Sequence, residues 1–98
     1  MRIIIFFAFF FLFSACNSIL QENEKLTGVQ IYKSRCLSCH GADGRMGVNG
    51  AKELPASTLS IHQRIEVVKN GRNIMPAFNS LLTESQIIAV VEYTMTLK

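Results

Sequence analysis

The chain has 98 residues, of which 49% are hydrophobic and 17% charged, with a formal net charge of +3. That length holds one domain, and the charge is too slight for the basic footprint of a nucleic-acid-binding protein. In chain order the first element is an unbroken apolar run, Ile3 to Phe13 (IIIFFAFFFLF), behind a single charge at Arg2. A membrane-spanning helix needs roughly 20 apolar residues, and this run has eleven. A basic residue, a short apolar stretch and then the small residues Ser14 and Ala15 have the layout of an export signal. A buried core helix is the weaker reading, because six phenylalanines in the run need more partner surface than so short a chain can offer.

Cys16 follows Phe13-Ser14-Ala15. This resembles the lipobox of bacterial lipoproteins, in which small residues precede a cysteine that is acylated and becomes the new N-terminus. Phe13 departs from the usual leucine, but it breaks the small-residue rule of an ordinary cleavage site more seriously. The order of preference is therefore a lipid-anchored chain, then a cleaved soluble one, then an uncleaved anchor. Asn17 to Lys25 is polar without a strong period and reads as a tether. The expected organisation is a lipoprotein-type signal over 1–15, a tether over 16–26 and one domain over 27–98.

Three helices are predicted in that domain. The first runs from about Thr27 to Arg35, with Gly28 and Tyr32 on one face. The second spans Ile61 to Asn70, with Ser60 and Gln63 as a capping box and Gly71 as a stop. The third spans Glu84 to Leu97, with Thr83 and Gln86 as another capping box. Its apolar residues Ile87, Ile88, Val90, Val91, Tyr93, Met95 and Leu97 cover an arc of roughly 220°, far wider than the stripe of about 100° that packs on one neighbour. Such a helix faces two apolar bodies. No stretch alternates like a strand. Between the first two helices, four of the six glycines fall within Gly41 to Gly50, in a loop long enough to be functional or wrapped around something.

The first helix ends in Cys36-Leu37-Ser38-Cys39-His40. A thiol redox couple normally opens a helix after a strand in a βαβ unit, and no strand precedes these residues. A structural zinc site needs four ligands, usually as two spaced pairs; here only His62 is left to complete the set. A covalent haem uses all three side chains. Two cysteines separated by two residues form thioethers with the haem vinyl groups, and the next histidine coordinates the iron, which is the c-type attachment signature. Attachment outside the cytoplasm agrees with the export signal. Met75, in NIMPAF and 35 residues beyond His40, is the favoured sixth ligand, since Pro76 has a fixed φ and stiffens the segment that presents it. Met46 is too near the attachment site, Met95 lies in a helix expected to pack inward, and His62 sits near a helix start facing solvent.

From about Gly28 to the end, the chain resembles the small single-haem class I cytochromes c of bacteria. The resemblance is carried by GVQIYKSRCLSCHGADG, IEVVKNGRNIMPAF and LLTESQIIAVVEYTMTL. It implies an all-α cytochrome c fold, about three main helices and long loops wrapped around one covalent haem c. It implies axial ligation by His40 and Met75, one-electron transfer without catalysis, and redox protein donors and acceptors on the periplasmic side of a membrane. It places Gly28, Tyr32 and Tyr93 at the crossing of the terminal helices and Phe78 beside the haem. Pro55 or a loop carbonyl is the acceptor for the second N–H of His40. Arg45, Lys52, Arg64, Lys69 and Arg72 either flank a docking surface or form an ordinary solvated surface. Two rival functions stay open: a haem-based ligand sensor, and an electron-transfer subunit of a larger oxidoreductase complex.

Overall fold

The computed structural model describes residues 26–98, so the export run, Cys16 and most of the tether lie outside the described residues. Four helices follow in order: α1 (Gly28–Arg35), α2 (Leu37–His40), α3 (Ile61–Asn70) and α4 (Glu84–Thr94), with a 3₁₀ turn at Val48–Gly50. Among the described residues there is no strand, and one isolated bridge joins Arg72 and Met75. The domain is all-α. The predicted bounds of α3 are met at both ends, while α2 is a short extra helix in which the cysteine motif continues past a kink at Cys36.

Each main helix is started by the same local device. Thr27, Ser60 and Thr83 accept hydrogen bonds from the backbone N–H groups of Gln30, Gln63 and Gln86, and each glutamine side chain returns to the backbone N–H of its cap. A cap of this kind is worth about 1 kcal/mol. The box at Thr27 adds to the two expected from the sequence and places Thr27 just outside α1.

Helices α1 and α4 cross closely. A Cβ on Gly28 would collide with the backbone carbonyl of Ala89 and crowd the Cβ of Tyr93. One turn along, the Tyr32 and Tyr93 rings meet edge to face, 5.1 Å apart at 61°. The Tyr32 hydroxyl donates to the Gly41 carbonyl and so ties the crossing to the start of the glycine-rich loop. Ile31, Tyr32, Ile87, Val90 and Val91 are fully buried.

Helix α4 also packs on α3, and Val90, Val91 and Thr94 face a large cavity. Its wide apolar arc thus meets two helices and a cavity wall. Its end differs from expectation. The helix stops at Thr94, after which Thr96 and Leu97 bond back to Tyr93 and Thr94 in three-residue steps. This tighter winding turns Met95 out, leaving it 48% exposed instead of packed inward. Thr94, a polar residue, is buried in its stead.

Candidate functional site

The cavity measures about 690 Å³ and takes its walls from α1, α2, α3, α4 and both long loops. Its volume lies in the range of cofactor and ligand sites. Cys36, Cys39, His40 and Met75 all line it. Met46 and Met95 do not line it, nor does His62; Met46 is 59% exposed.

The first wall is a product of local sequence. Helix α1 runs into Cys36, whose backbone N–H still bonds to Tyr32. The chain kinks and resumes as α2, with the N–H groups of Cys39 and His40 bonded to the Cys36 carbonyl. Two thiols three positions apart therefore face the same space, and both are free and half-buried. Burial, reinforced by the neighbouring Cys39, pushes the Cys36 thiol up to about 11. A redox-active cysteine needs the opposite, a pKa lowered by nearby positive charge or a helix N-terminus. Among the described residues no group of three or more His, Cys, Asp and Glu side chains is arranged to hold one metal ion. Neither the thiol couple nor the zinc site finds the surroundings it needs.

The Nδ1 atom of His40 lies 3.1 Å from the Lys52 carbonyl. A carbonyl only accepts, so this bond places the proton on Nδ1 and leaves the Nε2 lone pair free to bind a metal. Of the two expected acceptors, the structure has the loop carbonyl, that of Lys52, and not Pro55. Pro55 lines no part of the cavity and instead packs beside Gly44. A backbone carbonyl can come from any residue, so its identity has no signature in the sequence.

The second wall is held from a distance. Helix α3 ends at Asn70 and Gly71, where φ is +74°. The last carbonyls of a helix lack partners within it, and here the loop supplies them. Gly71 N–H donates to Val67, Phe78 N–H to Val68 and Asn79 N–H to Lys69. Between these clamps Arg72 and Met75 exchange N–H···O=C bonds of 3.1 and 3.0 Å around a turn with Asn73 at φ +55°. Met75 is thereby folded back over the end of α3 into the cavity. A Cβ on Gly71 would lie 2.7 Å from the Met75 carbonyl oxygen and 2.9 Å from the Ala77 nitrogen. Phe78 is buried and lines the cavity beside this loop.

One charged side chain behaves unlike its expected surface role. Arg64 is only 8% exposed. Its Nε donates to the Leu59 carbonyl, Nη1 to Thr94 Oγ1 at 3.1 Å, and Nη2 to the carbonyls of Leu54 and Ser57. It is a structural clasp between α3, α4 and the loop before α3, so it cannot flank a docking surface. Its partners lie up to 30 residues away, beyond the reach of any local pattern. Arg45, by contrast, is exposed and pairs with Glu53 at 3.5 Å.

Two thiols, an imidazole with its lone pair directed by a carbonyl bond, and a thioether around one largely apolar cavity fit a haem. Comparison with known proteins agrees. The family described as cytochrome C oxidase, cbb3-type, subunit III matches residues 23–93. Cytochrome c6 from Leptolyngbya boryana is 32% identical, over 74% of this chain and 91% of its own. Cytochrome c6 from Gracilaria tenuistipitata var. liui is 33% identical, over 91% and 90%. Among solved structures, the KustC0563 c-type cytochrome superposes with a TM-score of 0.68 at 26% identity, covering 74% of this chain and 99% of that one.

Proposed function

Because this chain belongs to the small c-type cytochromes, and is a one-electron carrier with covalent haem c rather than an enzyme, we propose which of its residues do the work. Cys36 and Cys39 form the thioethers, His40 is the proximal ligand and Met75 is the sixth. The carrying observation is that Met75 is the one methionine among the described residues that shares a cavity with Cys36, Cys39 and His40. When bound, the haem supplies a ferric/ferrous couple. The protein's part is to hold that couple still. The Lys52 carbonyl fixes the His40 ring. The paired backbone bonds of Arg72 and Met75 fix the thioether. Phe78, Val90 and Val91 exclude water from the cavity. A thioether ligand in apolar surroundings favours the ferrous state and raises the potential. With His40 and Met75 both holding the iron, the haem would offer no open position to a substrate.

The test is the near-infrared band of the ferric protein that reports methionine ligation. It should be present in the unmutated protein, survive Met46→Ala and His62→Ala, and vanish in Met75→Ala. A band that survives Met75→Ala and is lost in one of the other two would move the sixth ligand elsewhere. Absence of the band, together with tight carbon monoxide binding by the unmutated ferrous protein, would favour a haem-based sensor.

The same proposal extends to residues 1–25. The run Ile3 to Phe13 directs export, cleavage falls before Cys16, and the acylated Cys16 anchors the carrier to the periplasmic side of a bacterial membrane, where it exchanges electrons with membrane-bound partners. Support comes from Ser14-Ala15-Cys16 after an apolar run too short to span; among the described residues no helix is long and apolar enough to cross a membrane. Cys16→Ser should abolish acylation and block cleavage before residue 16, whereas a chain begun near Gln21 should be recovered in the aqueous phase and still bind haem. An unmodified N-terminus on unmutated protein recovered from the aqueous phase would exclude the anchor.

A further inference from the structure

Two Asn–Gly pairs stand in the chain, Asn49–Gly50 and Asn70–Gly71, and the structure treats them oppositely. Both asparagines are exposed. At the second pair both nitrogens are engaged. The Asn70 side-chain amide donates to the Glu66 carboxylate at 2.9 Å, and the Gly71 N–H donates to the Val67 carbonyl at 2.8 Å. A Cβ on Gly71 would lie 2.7 Å from the Met75 carbonyl oxygen, so the backbone there has little room to turn. At the first pair, the Asn49 side chain has no hydrogen-bond partner among the described residues. The Gly50 N–H reaches only the Gly47 carbonyl, at 3.3 Å. Nothing lies within 4 Å of where a Cβ on Gly50 would stand. Gly47 and Gly50 flank Asn49 closely, and glycine turns at little steric cost.

We propose that Asn49–Gly50 is a self-modification site, where the folded chain slowly turns a neutral amide into a carboxylate, and that Asn70–Gly71 is held inert by its bonds. The backbone nitrogen of Gly50 attacks Cγ of Asn49. A bond forms between that nitrogen and Cγ, the bond from Cγ to Nδ2 breaks, and the proton of Gly50 N leaves with Nδ2 as ammonia. Water then adds to one of the two carbonyls of the imide ring. Opening at Cγ gives aspartate; opening at the backbone carbonyl gives isoaspartate, with the main chain routed through the side chain. Nothing is oxidised or reduced, and water is the one co-reactant. Nucleophile and target sit on adjacent residues, so proximity supplies much of the rate. The attack requires Asn49 to turn from its ψ of 31°. The single long bond of Gly50 and the open space around it allow that turn, whereas the same motion at Asn70 would break the end of α3. Asn49 lines the cavity, where Glu53 is the one carboxylate against Arg35, Lys52, Arg64 and Arg72. The product would add a second carboxylate to that wall.

The test ages the haem-loaded protein at mildly alkaline pH, folded and in urea, and follows the mass of its fragments after cleavage at arginine. Met46–Arg64 and Ile65–Arg72 each carry one of the two pairs. In urea both should gain the mass of an amide NH2 exchanged for OH at comparable rates. In the folded protein Met46–Arg64 should gain it within a factor of about five of the rate in urea, and Ile65–Arg72 more slowly by a factor of about ten or more, since two hydrogen bonds must open first. A more acidic species should appear on ion exchange in step with the first fragment. Asn49→Gln, whose longer side chain closes the ring poorly, should abolish the gain in Met46–Arg64. A gain that persists in Asn49→Gln, a gain in Met46–Arg64 confined to urea, or equal rates for the two fragments in the folded protein would each overturn the proposal.

Discussion

The two walls of the cavity are built on opposite plans. On the Cys36–His40 side every functional side chain falls within five consecutive residues, on a helix that continues α1 through a kink. On the Met75 side nothing is helical. The thioether is placed by backbone bonds that reach back to the end of α3 and by one glycine with no room for a side chain. On the proposed ligation the first wall would be fixed by thioether bonds and local winding, the second by hydrogen bonds that each contribute about 1 kcal/mol. Damage to the first wall should therefore be all-or-none, and damage to the second graded.

The largest effect should come from the paired substitution Cys36→Ala and Cys39→Ala. A domain of this size has a core worth only roughly 3–5 kcal/mol without a staple, so loss of covalent haem should abolish the cooperative folded state. Circular dichroism and mass of the exported chain check this. A stably folded, haem-free domain would break the comparison at its stronger side.

Met75→Ala comes next. Covalent haem should be retained, the methionine band lost, carbon monoxide binding gained and the potential lowered. The melting transition should lose about 2–3 kcal/mol, near the lower end for truncating a methionine that is only partly buried. Mass, optical spectra with and without carbon monoxide, redox titration and thermal melts read these five outcomes.

Gly71→Ala should do part of the same. The alanine must adopt φ +74°, ψ 169°, a region essentially reserved for glycine, at about 1–3 kcal/mol, with its Cβ pressed against the Met75 carbonyl. A weakened methionine band and an intermediate potential are expected, with haem attachment unchanged. An unaltered band would mean that the backbone clamps hold Met75 without help from Gly71.

Tyr32→Phe should have the smallest effect, and on the first wall only. It removes the bond to the Gly41 carbonyl, at about 1 kcal/mol, while keeping the ring against Tyr93. Burial above all pushes the Tyr32 hydroxyl from 10.0 up to about 12. A folded-state pKa raised above the unfolded one gives stability that is complete below pH 10 and lost as pH climbs towards 12. The variant should be less sensitive to pH across that alkaline window, measured as the change in melting temperature between pH 9 and 12.

How far the sequence could be read follows the same division. The capping boxes at Ser60 and Thr83 and the bounds of α3 are local, and the structure places them as expected; the five residues Cys36 to His40 are equally local, and Cys36, Cys39 and His40 line one cavity. That Met75 is presented by a stiff loop beyond α3 was legible through Pro76 and Gly71, and it lies on the cavity wall, although the clamps from Val68 and Lys69 were not legible. What escaped was non-local or lacked a side-chain signature. Arg64 looks like a surface cation until Thr94, 30 positions away, and three loop carbonyls close around it. Lys52 serves through its backbone carbonyl, to which residue type is irrelevant. Met95 depended on where α4 stops, and periodicity alone does not mark that point.

The close passage of Gly28 beneath Ala89 also bears on the order of assembly. The two partners stand at opposite ends of the domain, so their crossing closes a loop of about 60 residues at an entropic cost of roughly 3–4 kcal/mol. In a chain made from its N-terminus, α1 and the adjoining thiols emerge before α4 exists to pack on them. Once Ala89 settles over Gly28, Val90 joins Ile31 and Tyr32 in one core, and Cys36 packs against it while Cys39 still faces the cavity.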